Sequence, residues 1–309
     1  MESNFARGTD FNKDITIEYI VEHYLEKAKY TMKERSYLVE KQCVEKVIEY
    51  FHLKGLIYFR LLTPKSLQDF IVWRKETITP RGKPPSNVTV NKNIAAIKRA
   101  LNLASKNQLI PQDPFANVSL IRVDKEDSPR IFSKEDIRII EQMAEKSTIK
   151  SEIFFLVRTG LRVSEMVNLE IADVDLGKNI IIVRSVKAKS RKTRYVPIVK
   201  GLGIKLQELL NEAKANQRSL VFVNSQGNKH CLRNILRRFR TILKNAKKYG
   251  VDIEGVNIHS LRKTYISHMI MSGQDPVKVM KIVGHQSWET MKKYLFLTEE
   301  YLQDVPSLF

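Results

Sequence analysis

Six side chains in this chain have the right types to break and remake a phosphodiester without a metal: Arg162, Lys189, His259, Arg262, His285 and Tyr294. The two arginines can hold a phosphate, because a guanidinium presents parallel donors to two oxygens. The lysine and the histidines can move protons. The tyrosine can attack phosphorus and keep the broken strand covalently attached. Attack builds negative charge on the phosphoryl oxygens, and one preorganised donor aimed at such charge is typically worth about 3–4 kcal/mol. A phenol with a pKa near ~10 needs help to lose its proton. A covalent intermediate conserves the bond energy, so rejoining needs no nucleotide. No glycine-rich phosphate cradle and no acidic cluster for magnesium is visible, so we expect neither cofactor nor metal.

Each of these residues also has a plain reading. Arg162 sits in Thr159-Gly-Leu-Arg-Val-Ser-Glu165, where Gly160 permits a sharp turn. It reads equally as a phosphate ligand oriented by Glu165 and as a surface arginine in an i,i+3 ion pair. Lys189 lies in the basic run Lys187-Ala-Lys-Ser-Arg-Lys192, which reads also as a nonspecific phosphate clamp. The pattern His259-x-x-Arg262 puts imidazole and guanidinium on one helical face, yet such a short pattern is common by chance. His285 follows Gly284 just before a helix expected to start at Ser287. A histidine there is commonly a satisfied structural group. Tyr294 follows Lys292 and Lys293; it is either packing or a phenol whose basic neighbours favour phenolate.

These residues need a scaffold, and 309 residues allow about two domains at roughly 150 each. Hydrophobic content of 43% supports real cores. The 53 Lys and Arg against 34 Asp and Glu give a net charge of +19. Such an excess calls for a polyanionic partner, with nucleic acid ahead of an anionic membrane surface. No apolar run is long enough to span a bilayer, and neither a lipidation motif nor a signal-peptide core is visible. Cys43 and Cys231 make no metal-ligand spacing and read as buried or half-buried thiols of a reducing cytoplasm.

The periodicity predicts a fold that is mainly α with a small β-sheet. Ile15, Ile17, Ile20, Val21, Tyr24 and Leu25 recur at helical spacing behind a cap at Asp14. Further helices are expected over about 33–51, from Thr63-Pro64, and over about 87–107, making an N-terminal four-helix unit. Lys92, Lys98 and Arg99 lie between the apolar positions of the fourth helix and are candidate DNA contacts. Residues 121–130 read as a charged linker, and Ser133 with Asp136 as a capping box that restarts helix. The second domain reads as mixed α/β. Helices are expected over 134–146, 149–158 and 163–168, then a hairpin of strands 179–183 and 194–198 with Lys187, Arg191 and Lys192 in its turn. Five more helices are expected near 201–215, 231–248, 260–272, 276–283 and 288–295. The fourth-from-last is dense in Arg233, Arg237, Arg238, Arg240, Lys244, Lys247 and Lys248, so it reads as a groove-facing or a solvated face.

Order and spacing together carry more than any single residue. Arginine, a hairpin lysine, His-x-x-Arg, Gly-His and then tyrosine nine residues on resembles the signature of the tyrosine recombinase (phage integrase-like) family. The flanking Thr159-Gly-Leu-Arg-Val-Ser-Glu165, Arg194-Tyr-Val-Pro-Ile198, His259-Ser-Leu-Arg-Lys-Thr264 and Val283-Gly-His-Gln-Ser287 match it too. The match covers residues 133–297 as a catalytic domain. Residues 14–118 resemble, less specifically, the family's SAM-like core-binding domain, with 119–132 as linker. The two-domain layout resembles Xer-type members.

The resemblance implies that Arg162 and Arg262 bind the scissile phosphate and that Lys189 protonates the leaving 5′ oxygen. Lys189 stands eight residues before Pro197, although Lys187 or Lys192 is placed to substitute. It further implies that His259 assists proton transfer, His285 hydrogen-bonds the phosphate, Tyr294 forms a 3′-phosphotyrosine bond and Glu165 supports the geometry. Ala188 and Ser190 depart from the glycines that often flank the lysine. The implied partners are double-stranded DNA carrying a specific site, a homotetramer assembled on it, and room for accessory proteins, with strands exchanged through a Holliday junction. Residues 298–309 would dock into a neighbouring protomer; Tyr301, within them, stands at the wrong distance from His285 to be the nucleophile. Two other readings share part of the evidence: a type IB topoisomerase-like relaxing enzyme and a DNA-binding regulator without catalysis.

Overall fold

The computed structural model describes residues 15–80, 82–123, 130–184 and 192–295. The chain divides into two compact units, residues 1–125 and 126–309. Among the described residues no helix is long and apolar enough to cross a membrane.

The first unit is helical: α1 (Ile17–Thr31), α2 (Glu34–Leu53), α3 (Pro64–Glu76) and α4 (Asn87–Lys106). Local chemistry sets their starts. The Thr16 side chain accepts from the Tyr19 N–H and Ser86 from the Thr89 N–H, while Thr63 and Ser66 form a reciprocal capping box ahead of Pro64. Thr16 therefore replaces the cap expected at Asp14, which lies outside the described residues. Val44, Val47, Phe51, Phe70, Ile94, Ile97, Leu101 and Phe115 are fully enclosed and form one core.

Two expected DNA contacts have other work in this unit. Arg99 forks its guanidinium onto Glu40, with Nε to Oε1 at 2.8 Å and Nη2 to Oε2 at 2.7 Å, and Tyr24 donates to the same carboxylate. Lys98 donates to the carbonyls of Ala116 and Val118 at 3.0 and 2.9 Å, tying down the segment after α4. Lys92 is exposed on the same helix.

The second unit begins with α5 (Lys134–Ala144), opened by the Ser133–Asp136 capping box, and α6 (Lys150–Thr159). A four-residue helix α7 (Val163–Met166) follows, then strands β1 (Val174–Asp175), β2 (Ile180–Val183) and β3 (Arg194–Pro197). The strands form an antiparallel sheet in the order β1-β2-β3, with Ile181 opposite Val196 and Val183 opposite Arg194. Helices α8 (Lys200–Ala215), α9 (Leu232–Lys247), α10 (Ile258–Met271), α11 (Pro276–Val283) and α12 (Trp288–Leu295) complete it. A single core runs through the unit, including Ile140, Phe155, Leu156, Phe222, Phe239, Leu261 and Ile266.

Helix α9 shows why its sequence is so basic. Ile235, Phe239, Ile242, Leu243 and Ala246 face inward, leaving Arg233, Arg237, Arg240, Lys244 and Lys247 exposed. Cys43 is half-buried as expected, but Cys231 is exposed, because it stands at the N-cap of α9 rather than on its apolar face.

Candidate active site

Arg262 is the centre of the site. Among the described residues it is the largest fully enclosed side chain, only 2% exposed, in the second turn of α10. Its Nη1 donates to the Gly160 carbonyl at 2.6 Å and its Nη2 to the Val283 carbonyl, while Nε has no hydrogen-bond partner. The guanidinium thus joins the end of α6 to the end of α11. Both carbonyls belong to helix ends capped in the left-handed conformation by Gly160 (φ 61°) and Gly284 (φ 71°). A Cβ on Gly160 would lie 2.4 Å from the Tyr265 ring, so this turn needs glycine for space as well as for φ.

Arg162 follows from that turn. It caps α7, and its N–H and Nη1 donate to Glu165 Oε2 (2.8 Å) and Oε1 (3.0 Å). The ion pair allowed by the i,i+3 spacing exists, but its carboxylate is buried: Glu165 is 3% exposed. Arg194 is the reason. From the start of β3 it donates Nη1 and Nη2 to the same two oxygens at 3.1 and 2.7 Å. Hydrogen bonds and charge from Arg194, then Arg162, hold the Glu165 carboxyl below its usual range, against the upward push of burial. Two guanidiniums therefore share one carboxylate, and with Arg262 nearby three positive charges face one negative one.

That excess shapes the other groups. Burial first, and the Arg162 charge next, push Arg262 down to about 9, so it remains protonated at neutral pH. His285, just beyond the α11 cap, is pushed down to about 4 by burial and then by Arg262 and Arg162; its Nδ1 is enclosed without a partner. Its imidazole is neutral at pH 7. The Tyr294 ring on α12 lies 6.1 Å from that of His285, centroid to centroid. Tyr294 is 6% exposed, and burial raises its phenol above the usual value, with Arg262 pulling the other way. The expected phenolate-favouring effect of the neighbouring lysines is not found: Lys292 is paired with Glu289, and desolvation dominates.

Arg162, His259, Arg262 and His285 line one open cleft of about 620 Å³, together with Ser164, Ser287 and Thr290. His259 is exposed at the first turn of α10, its N–H held by the Asn257 side chain at 2.8 Å. Four of the six residues singled out from the sequence thus converge, and Tyr294 stands behind His285. Lys189, with Lys187 and Arg191, lies outside the described residues; Lys192 is exposed at the foot of β3. Sequence reasoning missed Arg194. The available signal was its strand period: Arg194 and Val196 face inward while Tyr195 and Pro197 face outward. An inward arginine demands a buried carboxylate. Among the described residues no group of three or more His, Cys, Asp or Glu is placed to hold a metal.

Residues 127–300 match the phage integrase family and residues 16–120 match the phage integrase SAM-like domain. The chain belongs to the phage integrase family. It is 26% identical over 276 residues to the tyrosine recombinase XerC of Bacillus licheniformis, covering 84% of this chain and 85% of that one. It is 30% identical over 178 residues to the tyrosine recombinase XerA of Pyrococcus horikoshii, covering 57% and 60%. Among solved structures, the Tn1549 transposon integrase in complex with transposon right end DNA superimposes with a TM-score of 0.74 at 16% identity, over 94% of this chain and 99% of that one. A lambda integrase tetramer bound to a Holliday junction gives 0.72 at 15% identity, over 93% and 83%.

Proposed function

We propose that this protein is a site-specific DNA recombinase in which Tyr294 attacks a phosphodiester held by Arg162 and Arg262. The single observation that carries the reading is the convergence of Arg162, His259, Arg262 and His285 on one cleft, with the Tyr294 ring against His285. In the proposed step the Tyr294 oxygen bonds to phosphorus as the bond to the 5′ oxygen breaks. The phenol proton leaves through His259, and Lys189 supplies a proton to the departing 5′ oxygen. The product is a 3′-phosphotyrosine, and the reverse step with a different 5′ hydroxyl joins a new strand. His285, neutral in the DNA-free site, hydrogen-bonds a phosphoryl oxygen. Glu165 fixes Arg162.

The assembly is a homotetramer on two duplexes that exchanges strands in pairs through a Holliday junction. Residues 14–118 act as the core-binding domain and 133–297 as the catalytic domain, joined by 119–132, and the enzyme acts on DNA in the cytoplasm. Lys92, Lys98, Arg99, Lys187, Arg191, Lys192, Arg233 and Arg237 were the DNA contacts expected from sequence. Lys92, Lys192, Arg233 and Arg237 are exposed and fit that role best; Arg99 is exposed too, but its guanidinium is already paired with Glu40. Residues 298–309 dock on a neighbouring protomer. Exchange between two copies of the target site, with products of reciprocal linkage, is the expected outcome in a two-substrate assay. Supercoil relaxation by a monomer without exchange would favour the topoisomerase-like reading instead.

A further inference from the structure

Arg194 has no assigned part in the reaction, yet its side chain sits where the phosphate-binding elements meet. It is 6% exposed, and three of its donors are spent on two different elements. Nη1 and Nη2 grip both oxygens of Glu165, which itself holds the Arg162 backbone and guanidinium. Nε donates at 2.9 Å to the carbonyl of Ile282, in the last turn of α11, two residues before Gly284. The approach is close: a Cβ on Gly284 would lie 2.9 Å from Arg194 Cδ. His285 is the next residue. One planar group therefore spans α7, which carries Arg162, and the turn that carries His285, while its own backbone belongs to β3.

We propose that Arg194 is a positioning residue for phosphate binding, setting Arg162 through Glu165 and His285 through the end of α11. This rests on the proposed roles of Arg162 and His285. The fork geometry is essential: a lysine at 194 carries the charge but, as a point donor on a flexible stem, cannot hold the carboxylate and the carbonyl together in one plane. A displacement of about 1 Å in groups that meet developing charge costs on the order of 10²-fold in rate.

The test is single-turnover cleavage of a nicked duplex, with an ordinary scissile phosphate and with a methylphosphonate at the same position. The methyl group removes the charge that Arg162 is placed to meet. Arg194→Lys should cleave the phosphodiester roughly 10²-fold more slowly than wild type, while its defect on the methylphosphonate should be about tenfold smaller. DNA affinity should stay within about twofold of wild type, since binding energy spread over many phosphates does not depend on one brace. Equal defects on the two substrates, or wild-type cleavage, would overturn the proposal. Arg194→Gln leaves the Glu165 carboxylate still paired with Arg162, so it keeps the test open if the lysine variant unfolds the unit; it should show the same dependence on phosphate charge. Arg162→Ala calibrates the assay. If it lacks that dependence, the phosphate-binding reading fails and the brace falls with it; if only the Arg194 variants lack it, the brace alone is wrong.

Discussion

Arg262 carries its charge where little water reaches, and that position explains the behaviour of the residues around it. Its hydrogen bonds to Gly160 and Val283 fix the guanidinium before any substrate arrives, which is how a donor gains from meeting charge only as it develops. Arg262→Ala should therefore do two things. It should abolish cleavage, and it should destabilise the fold by about 3 kcal/mol because two enclosed carbonyls lose a charged donor; thermal unfolding of the variant measures the second effect. His285 gives a prediction in pH. An unfolded imidazole takes up its proton near ~6.5, whereas this one does so only near about 4. Between those values the unfolded chain binds more protons, so this residue's contribution to stability falls as pH drops through the window. In the DNA-free protein the urea midpoint should fall less steeply from pH 6.5 to 4 in His285→Gln than in wild type. A bound phosphate offsets the neighbouring guanidiniums, so the His285 ring resonances should titrate at higher pH in the DNA complex than without DNA.

The elements that carry these residues begin and end where short-range chemistry tells them to. Thr63-Pro64, Ser133-Asp136 and the two left-handed glycines all act within a turn of the chain, which is why helices α3, α5, α6 and α11 were legible from sequence. The same holds for α9, whose inward apolar positions and outward arginines follow a simple period. What sequence did not show depends on long-range partners. Arg99 looked like its neighbours on α4 until Glu40, 59 positions away, came to meet it. Arg194 belonged to a recognisable strand, but its carboxylate is 29 positions distant. Burial of Tyr294 likewise comes from tertiary packing, which is why its local lysines misled. At this scale the Gly160 turn is the weakest point to alter. Gly160→Ala places a methyl at 2.4 Å from the Tyr265 ring with φ at 61°. Strain and overpacking together should cost on the order of 2–4 kcal/mol, and cleavage should suffer more than DNA affinity because Arg162 follows two residues later. Equal losses in both would argue that the turn has no special link to the site.

Across the whole molecule, a net charge of +19 suits a protein that binds a polyanion. Its affinity for DNA should fall steeply with salt: with about six to ten phosphate contacts, by roughly 10³–10⁵ between about 50 and 200 mM. Arg233→Ala and Arg237→Ala on the outer face of α9 should each lower that slope by about one, and an unchanged slope would place the helix away from DNA. Family membership and the converging site together make strand cleavage by Tyr294 the central claim. The most direct measurement is covalent trapping on a nicked duplex carrying the target site, with the attached peptide read by mass spectrometry. The account predicts a 3′-phosphate ester on Tyr294 in the wild type, none in Tyr294→Phe despite unchanged DNA binding, and little in Arg162→Ala. An adduct on Tyr301, or one that persists in Tyr294→Phe, would contradict it.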